Sequence, residues 1–526
     1  MKETRPVLVV GAGPTGLTAA LELARLNVPV RLVDKYAAPP TTSRALAVQS
    51  RTMELLQQRG VAGEMLKLGN KGWSATLYDG AKELGKVDFD DIDSRFNFIL
   101  LLAQSETERI LREALHAAGV EVERETEMIA FAQEEGATSG VRVTLRTANG
   151  DVEEVDAAYL IDAEGAHSSA RHSLDLAFAG NSLPNTYAIA DLYLDGDVPD
   201  DALSIYIPEA GLVAAFPMGQ RRFRVLATEK QEVAHDAPAP GIEAMQAAWS
   251  RSVPIPVTMR DLQWSSRFRI NSRALTQLRH GAIFFAGDAA HIHSPAGGQG
   301  MNTGMQDVIN LAWKMALVYR GVAVDALLDT YGDERLPIIH QLVSTTERAT
   351  DMFNSDSHFM HTLLRHLLPQ ALRIDAVRRK GAGIVSELGV QYRKSPINGR
   401  SEGHGAVHPG DRFPDVAVAD TGAARVLDLL DPSRFTVLTV AAASLQFDDA
   451  LYAMQHVPSP GTALLAALGD ATVAVVRPDG YLLCAGSPAF VQAQMADWDR
   501  RWLAVNSTGA TPTAESRHSG AAARGN

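Results

Sequence analysis

The chain has 526 residues, more than one hydrophobic core accommodates, so it divides into two or three domains. Its 46% hydrophobic and 21% charged residues are the proportions of a globular protein. A formal charge of −13 opposes nucleic-acid and anionic-membrane partners, and a single cysteine, Cys484, leaves no intramolecular disulfide and no CxxC redox pair.

No apolar run approaches the ~18–20 residues of a membrane-spanning helix, and the N-terminal apolar run is too short for a secretory signal. The expectation is a cytoplasmic protein with no integral-membrane segment and no nucleic-acid partner. Val7 to Val10 predict a buried parallel strand that runs directly into Gly11, Gly13 and Gly16, in the pattern GxGxxG. Leu17, Leu21 and Ala24 follow at helical spacing, and a second strand, Val30 to Val33, ends in Asp34, eighteen residues beyond Gly16. The glycines let backbone approach a pyrophosphate, the helix N-terminus offers unpaired N–H groups, and the acid is spaced to bind ribose hydroxyls. Pro14 and Thr15 within the motif and Lys35 after the acid complete this group of candidate cofactor contacts. The motif alone fits NAD or FAD. No second GxGxxG with strand and acid follows, which excludes a flavin–disulfide reductase.

Arg44 precedes the helical pattern of "SRALAVQSRTMELLQQRG". Ser105 and Glu108 are spaced as a capping box for a helix that buries Ile110, Leu111, Ala114, Leu115 and Ala118, with Gln104 at its entrance. "VEVERETEMIAFAQ" and "VRVTLRTANGDVEEVDAAYLIDAEG" alternate as strands around an Asn149-Gly150 turn. Short strand-like runs between Ser173 and Thr276 predict an antiparallel sheet over a cavity, with Tyr187, Tyr193 and Tyr206 as candidate partners for a substrate hydroxyl.

The stretch "FFAGDAAHIHSPAGGQGMNTGMQDVINLAWK" places an apolar strand, Ala282 to Ala286, before Asp288 and the loop glycines Gly297, Gly298 and Gly300. An acid at a strand's carboxyl end accepts hydrogen bonds from sugar hydroxyls, and the glycines clear space for a flat ring against the main chain. A helix beginning near Asn302 then points its positive end at that ring and buries Val308, Ile309, Ala312, Met315 and Ala316. His291 and His293 have H-x-H spacing without a third ligand nearby, and no metal site is expected. Beyond a helical region from Asp325 to Leu388 come a Gly- and Pro-rich linker, "RFTVLTVAAAS", a predicted helix near "DDALYAMQH", and "ATVAVVRPDGYLLCAG" with a Pro-Asp-Gly turn.

These motifs resemble the FAD-dependent aromatic hydroxylases, the single-component flavoprotein monooxygenases of the para-hydroxybenzoate and phenol hydroxylase type. The resemblance rests on Gly11-x-Gly13-x-x-Gly16, Arg44, "QSETE" at Gln104 and, above all, "GDAAHIHSPAGGQGMN", and covers roughly the first 350 residues. It implies an α/β fold with a Rossmann-like FAD-binding domain (1–172 and 277–395, the latter with the helical region) and an antiparallel-sheet substrate domain (173–276). A linker (396–412), a small thioredoxin-like C-terminal domain (413–505) and a disordered tail (506–526) follow. By the same resemblance, Gly11, Gly13 and Gly16 meet the FAD pyrophosphate and Asp34 lies at the adenosine ribose, with Pro14, Thr15 and Lys35 as further cofactor contacts. Arg44 and Gln104 hold the diphosphate and ribityl region, Asp288 binds the ribityl chain, and Gly300, Met301 and Asn302 meet the pyrimidine edge of the isoalloxazine, with Pro295 and Gly298 as further cofactor contacts. Glu164-Gly165 stands where the family has Asp-Gly, and the extra methylene shifts that carboxylate. The implied reaction is NAD(P)H- and O2-dependent hydroxylation of a phenol through a flavin C4a-hydroperoxide, on a simple phenol or a polycyclic polyketide. The rival readings are a nicotinamide-dependent dehydrogenase and a non-catalytic FAD carrier. With one cysteine the C-terminal domain cannot run dithiol exchange, so its expected role is packing or homodimerisation.

Overall fold

The computed structural model describes residues 5–39, 45–90, 92–133, 140–207, 211–229, 237–294, 297–354 and 366–504. Arg44, Pro295 and the tail 506–526 lie outside the described residues.

The strand Val7–Val10 is buried throughout, as a strand covered on both faces must be. It lies inside a six-stranded sheet between Tyr159–Asp162 and Val30–Asp34, both parallel to it. Ile283–Phe285 joins parallel to Tyr159–Asp162. The registers pair Val10 with Asp162 and Asp162 with Phe285, so three carboxyl ends finish level. The chain therefore delivers Gly11, Glu164 and Asp288, far apart in sequence, to one edge of one sheet. That edge is where parallel α/β sheets bind ligands. The expected hairpin is present, with Gly150 at φ +84° between Val141–Arg146 and Val152–Ala157.

The substrate sheet has eight strands, ordered His291–Ile292, Val257–Ala274, Ala179–Gly196, Arg222–Glu229, Val213–Pro217, Ala202–Tyr206, Ser74–Asp79 and Lys82–Asp88. It is antiparallel except where Ala202–Tyr206 runs parallel to Ser74–Asp79. The sheet thus extends beyond 173–276 and borrows strands from the dinucleotide-binding half. One face packs Ala188, Ala190, Leu192, Phe223 and Val225 beneath the helix Ile242–Ser252 through Met245 and Trp249. Alternation along the strand turns Tyr187, Ile189 and Asp191 to the opposite face. On that side Leu203, Phe216 and Met218 meet Leu46, Ala47 and Leu101, together with Ala382, Val385 and Leu388 at the end of the helix Asp375–Val385.

The C-terminal unit is a four-stranded mixed sheet in the order Tyr452–His456, Phe435–Thr439, Val473–Val476 and Leu482–Gly486, flanked by helices Thr462–Leu468 and Pro488–Trp502. The helix expected near "DDALYAMQH" is instead the strand Tyr452–His456, parallel to Phe435–Thr439. Asp448 Oδ1 accepts the Ala450 N–H at 2.9 Å in a local turn, and Tyr452 and Ala453 are buried against their neighbour, so tertiary pairing overrides helical spacing. Cys484 is fully buried beside Met495 (Sγ to Sδ 3.7 Å), and burial pushes its thiol up to about 12. Among the described residues no helix is long and apolar enough to cross a membrane.

Candidate functional site

The three motif glycines have different work. A Cβ at Gly11, which sits at φ +100°, would lie 2.3 Å from Ala163 O, and one at Gly16 would lie 1.8 Å from Gly11 O. Both exist so that backbones can cross. At Gly13 an added Cβ meets nothing within 4 Å, so this glycine borders open space at the start of the helix Pro14–Arg25. Pro14 is the first helical residue and no side chain caps the end, which leaves the Thr15 and Gly16 N–H groups without intrahelical acceptors. Thr15 also fills a notch: Cβ atoms at Gly287 and Gly304 would each fall 2.5 Å from its Oγ1.

Asp34 is buried at its strand end. Its Oδ2 accepts Ala12 N–H at 2.7 Å and its Oδ1 accepts Tyr36 N–H at 2.9 Å, so the acid shapes the glycine loop it was expected to serve. Lys35 is exposed, its ammonium 5.5 Å from the Tyr36 ring. Arg124 escaped the sequence reading. Its two terminal nitrogens are buried without hydrogen-bond partners among the described residues, one of them 3.6 Å from Asp34 Oδ1. An arginine at the end of a short strand carries no local signal of such a role.

Asp288 is exposed. The strand ends at Phe285, and Asp288 sits beyond it on the tight turn Gly287–Ala289. Arg171 pins that turn by donating to Ala289 O at 3.0 Å and to Ala166 O at 2.6 Å. Glu164 uses its extra methylene to reach the short helix Ser169–Ser173, where Oε2 accepts Ser169 N–H at 2.8 Å and Ser169 Oγ–H at 2.6 Å. Beneath it, burial and the Glu164 charge push the Asp162 carboxyl up to about 7.

The predicted capping box at Ser105 does not form. The helix begins two residues earlier, at Gln104 with Ala103 as its N-cap, and Gln104 Nε2 donates to Glu108 Oε1 at 2.8 Å while its Oε1 accepts Ala45 N–H at 3.2 Å. Gln104 thereby ties this helix to the segment that follows residue 44.

Gly297 and Gly298 adopt φ +91° and +64°, and a Cβ at Gly298 would press to 2.9 Å from Ala47 Cβ. The helix Gly300–Tyr319 starts two residues before the expected Asn302, without a capping side chain. The N–H groups of Gly300, Met301 and Asn302 therefore point out of the helix with no intrahelical acceptor. The Asn302 side chain is fully committed to the protein: Oδ1 accepts Gln49 N–H, and Nδ2 donates to Ala47 O and Gly298 O, each at 2.9 Å. Gln49, which the sequence did not single out, donates to Gly297 O at 2.8 Å, and its buried Oε1 has no partner among the described residues.

The three tyrosines separate. Tyr206 lies beneath the helix Ile242–Ser252, 4.9 Å from the Tyr78 ring and 5.5 Å from Trp249, on the sheet face away from the dinucleotide half. It is core, and burial with Tyr78 pushes its hydroxyl up to about 12. Tyr193 is half-buried under Arg260, 4.9 Å from its guanidinium. Tyr187, stacked 5.6 Å from Phe268, is on the face turned from that helix. Arg224 shares this face: it pairs with Asp191 at 2.7 and 2.8 Å and donates to Ala45 O at 3.0 Å, bridging the sheet to the other half. His291 Nε2 is 2.7 Å from Asp307 Oδ2. His293 Nδ1 contacts Ser294 O at 2.8 Å, and burial, then the neighbouring His291, lowers it to about 4. Among the described residues no three His, Cys, Asp or Glu side chains gather to hold a metal ion.

The open space at Gly13, two uncapped helix N-termini joined through Thr15, the exposed Asp288 carboxylate and the orphan Gln49 acceptor fit a dinucleotide that ends in a flat ring. An FAD binding domain model matches residues 4–346. The chain is 34% identical to a 6-methylpretetramide 4-monooxygenase of Streptomyces rimosus, over 91% of this chain and 90% of the relative. It is 32% identical to a pentachlorophenol 4-monooxygenase of Sphingobium chlorophenolicum, over 84% and 81%. Among solved structures, an anhydrotetracycline hydroxylase from Streptomyces rimosus superposes with a TM-score of 0.77 at 29% identity, covering 95% of this chain and 99% of that one. The chain belongs to the FAD-dependent aromatic monooxygenases: it is a flavoprotein that acts on aromatic compounds.

Proposed function

We propose that the substrate is a polycyclic phenol, hydroxylated at the expense of NAD(P)H and O2. The carrying observation is the apolar junction of Leu46, Leu101, Leu203, Phe216 and Met218, closed by Ala382 and Val385. Its member Ala47 borders Gly298, where an added Cβ would lie 2.9 Å from the Ala47 methyl, so the junction begins beside the glycine loop proposed to meet the flat ring. Several fused rings bury more apolar surface there than one ring does, at roughly 25 cal/mol per Å2. The tetracycline-type relatives named above support the same class. A simple phenol is the second reading, favoured by the pentachlorophenol relative.

Bound FAD supplies hydride acceptance from NAD(P)H and the activation of O2. The chain's own residues bind and orient. The space at Gly13, bounded by Gly11 and Gly16, and the N–H groups of Thr15 and Gly16 behind Pro14 would hold the pyrophosphate. Asp34 would take ribose hydroxyls and Asp288 the ribityl chain. Gln104 positions Ala45 beside the site, and Arg44, Lys35 and Pro295 remain proposed contacts. The N–H groups of Gly300, Met301 and Asn302, with the dipole of their helix, favour negative charge on the pyrimidine edge by about 1 kcal/mol. Of the three tyrosines, Tyr187, on the sheet face turned from the helix Ile242–Ser252, would meet the substrate. The apolar junction excludes water, which protects the transferred oxygen from loss as hydrogen peroxide.

The test is NAD(P)H oxidation by the FAD-loaded protein against simple phenols and linear tetracyclic phenols, with 18O2 and mass detection of product. Coupled incorporation of one labelled atom into a tetracycle is expected. Coupled turnover with simple phenols alone would overturn the polycyclic assignment, and label arriving only from water would overturn the monooxygenase chemistry.

A further inference from the structure

We propose that Asp307 is a positioning residue for the Asp288 turn, and that the C-terminal unit reaches this turn through Tyr392 and Arg335. The inference rests on FAD binding at that turn. Asp307 is fully buried on the helix Gly300–Tyr319, and its carboxylate gathers three partners. Oδ2 accepts Gly287 N–H at 3.1 Å and faces His291 Nε2 at 2.7 Å, while Oδ1 accepts Arg335 Nε–H at 2.7 Å. Gly287 immediately precedes Asp288, so Asp307 fixes the peptide from which the exposed carboxylate is aimed. The turn cannot drift towards the first helix, because Gly287 already backs onto Thr15. Burial opposes ionisation of Asp307, but the Arg335 charge and His291 outweigh it and keep its pKa below the usual aspartate range.

The second limb runs outward. Arg335 Nη1 donates to Tyr392 Oη at 2.8 Å and Nη2 donates to Thr303 O at 3.2 Å. The Tyr392 ring lies 4.3 Å from Tyr481, which follows the turn Arg477–Gly480 of the C-terminal sheet. That turn is sunk into the FAD-binding half: Arg477 donates to Glu334 at 2.6 and 2.9 Å, and Arg51 donates to Asp479 O at 2.6 Å. Arg51, Glu334, Arg335, Arg477 and Asp479 are each at most 2% exposed. A path of buried contacts thus joins the C-terminal hairpin to the peptide beside Asp288. This gives a unit without a second cysteine a role in holding the cofactor.

A mere structural staple and a positioning role differ in how they couple to Asp288. FAD dissociation constants are to be measured for the wild type, Asp307→Asn, Asp288→Ala and the double variant, with the unfolding midpoint of each apo-protein alongside. Asparagine keeps the shape but cannot accept from all three partners. Asp307→Asn is expected to weaken FAD binding about tenfold in the wild-type background and by less than about twofold when Asp288 is already alanine. Tyr392→Phe, which removes one hydroxyl, is expected to weaken binding about threefold. Equal losses with and without Asp288, or an Asp307→Asn protein with a lower midpoint and unchanged affinity, would overturn the positioning role. Unchanged affinity in Tyr392→Phe would remove the C-terminal limb. A wild-type chain that takes up no FAD would bring down the functional reading and this inference with it.

Discussion

Gly13 and Gly16 belong to one motif but answer to different forces. Since nothing lies within 4 Å of a Cβ at Gly13, Gly13→Val should fold with an apo-protein midpoint close to wild type yet purify colourless. Gly16→Ala should instead fail in stability, because its methyl group meets Gly11 O at 1.8 Å and overpacking costs ~1–3 kcal/mol or more. Flavin absorbance and apo-protein melting separate the two outcomes. A yellow Gly13→Val protein would show that the open space is not the pyrophosphate site. A different residue governs pH dependence. Burial pushes the Glu387 carboxyl up to about 8, against the pull of Arg335 and a Gln306 hydrogen bond. The unfolded chain ionises this group near 4.5, so between those values the folded protein holds the extra proton. Stability therefore falls as pH rises through this window, by at most a few kcal/mol. Glu387→Gln should reduce the fall in unfolding free energy between about pH 5 and about pH 8.5, most plainly above pH 7, where the opposed contributions of Asp162 and His293 have ended. An unchanged slope would mean that Glu387 is ionised in the fold.

At the scale of elements, local signals were read well and pairing across the chain was not. The strand–glycine–helix–strand unit from Val7 to Asp34 was legible because each part is specified by its own residues. The helix after Ala103 was also legible, but its start was misassigned by two residues: Gln104 claims the carboxylate of Glu108 that a capping box needs. The strand Tyr452–His456 was missed because its own residues carry helical spacing, and only pairing with Phe435–Thr439 overrides it. The sequence likewise could not tell Tyr187 from Tyr206, because the face that the helix Ile242–Ser252 covers is set by tertiary packing and not by the strands' own residues. Arg224, Gln49 and Arg124 were invisible for want of any local pattern. Within the C-terminal elements, Cys484 behaves as a small hydrophobe, fully buried beside Met495. Cys484→Ser should leave turnover per folded molecule unchanged and lower stability by ~1–3 kcal/mol, the cost of a buried hydroxyl without a partner. Loss of hydroxylation in folded Cys484→Ser protein would reveal chemistry in that unit.

The whole molecule is joined by charge as well as by apolar packing. Glu334 receives Arg477 and Lys314 while fully buried, and the two cations, against the cost of burial, drive its pKa far below the ordinary glutamate range. Removing one partner of such a set strands the others, so Glu334→Ala should cost ~3–5 kcal/mol. Because the set spans the FAD-binding half and the C-terminal unit, that loss should lower the unfolding midpoint of both together, as followed by tryptophan fluorescence and FAD release. Separate transitions would show the two to be energetically independent. A consequence for protein engineering lies in the shared sheet. Ala202–Tyr206 runs in parallel register with Ser74–Asp79, and a Cβ at Gly72 would sit 2.5 Å from the Leu203 side chain. Substrate preference therefore cannot be transplanted between relatives by exchanging residues 173–276. A graft of that segment alone would seat a foreign strand edge on a native neighbour, whereas a chimera that also carries residues 72–88 brings its own seam.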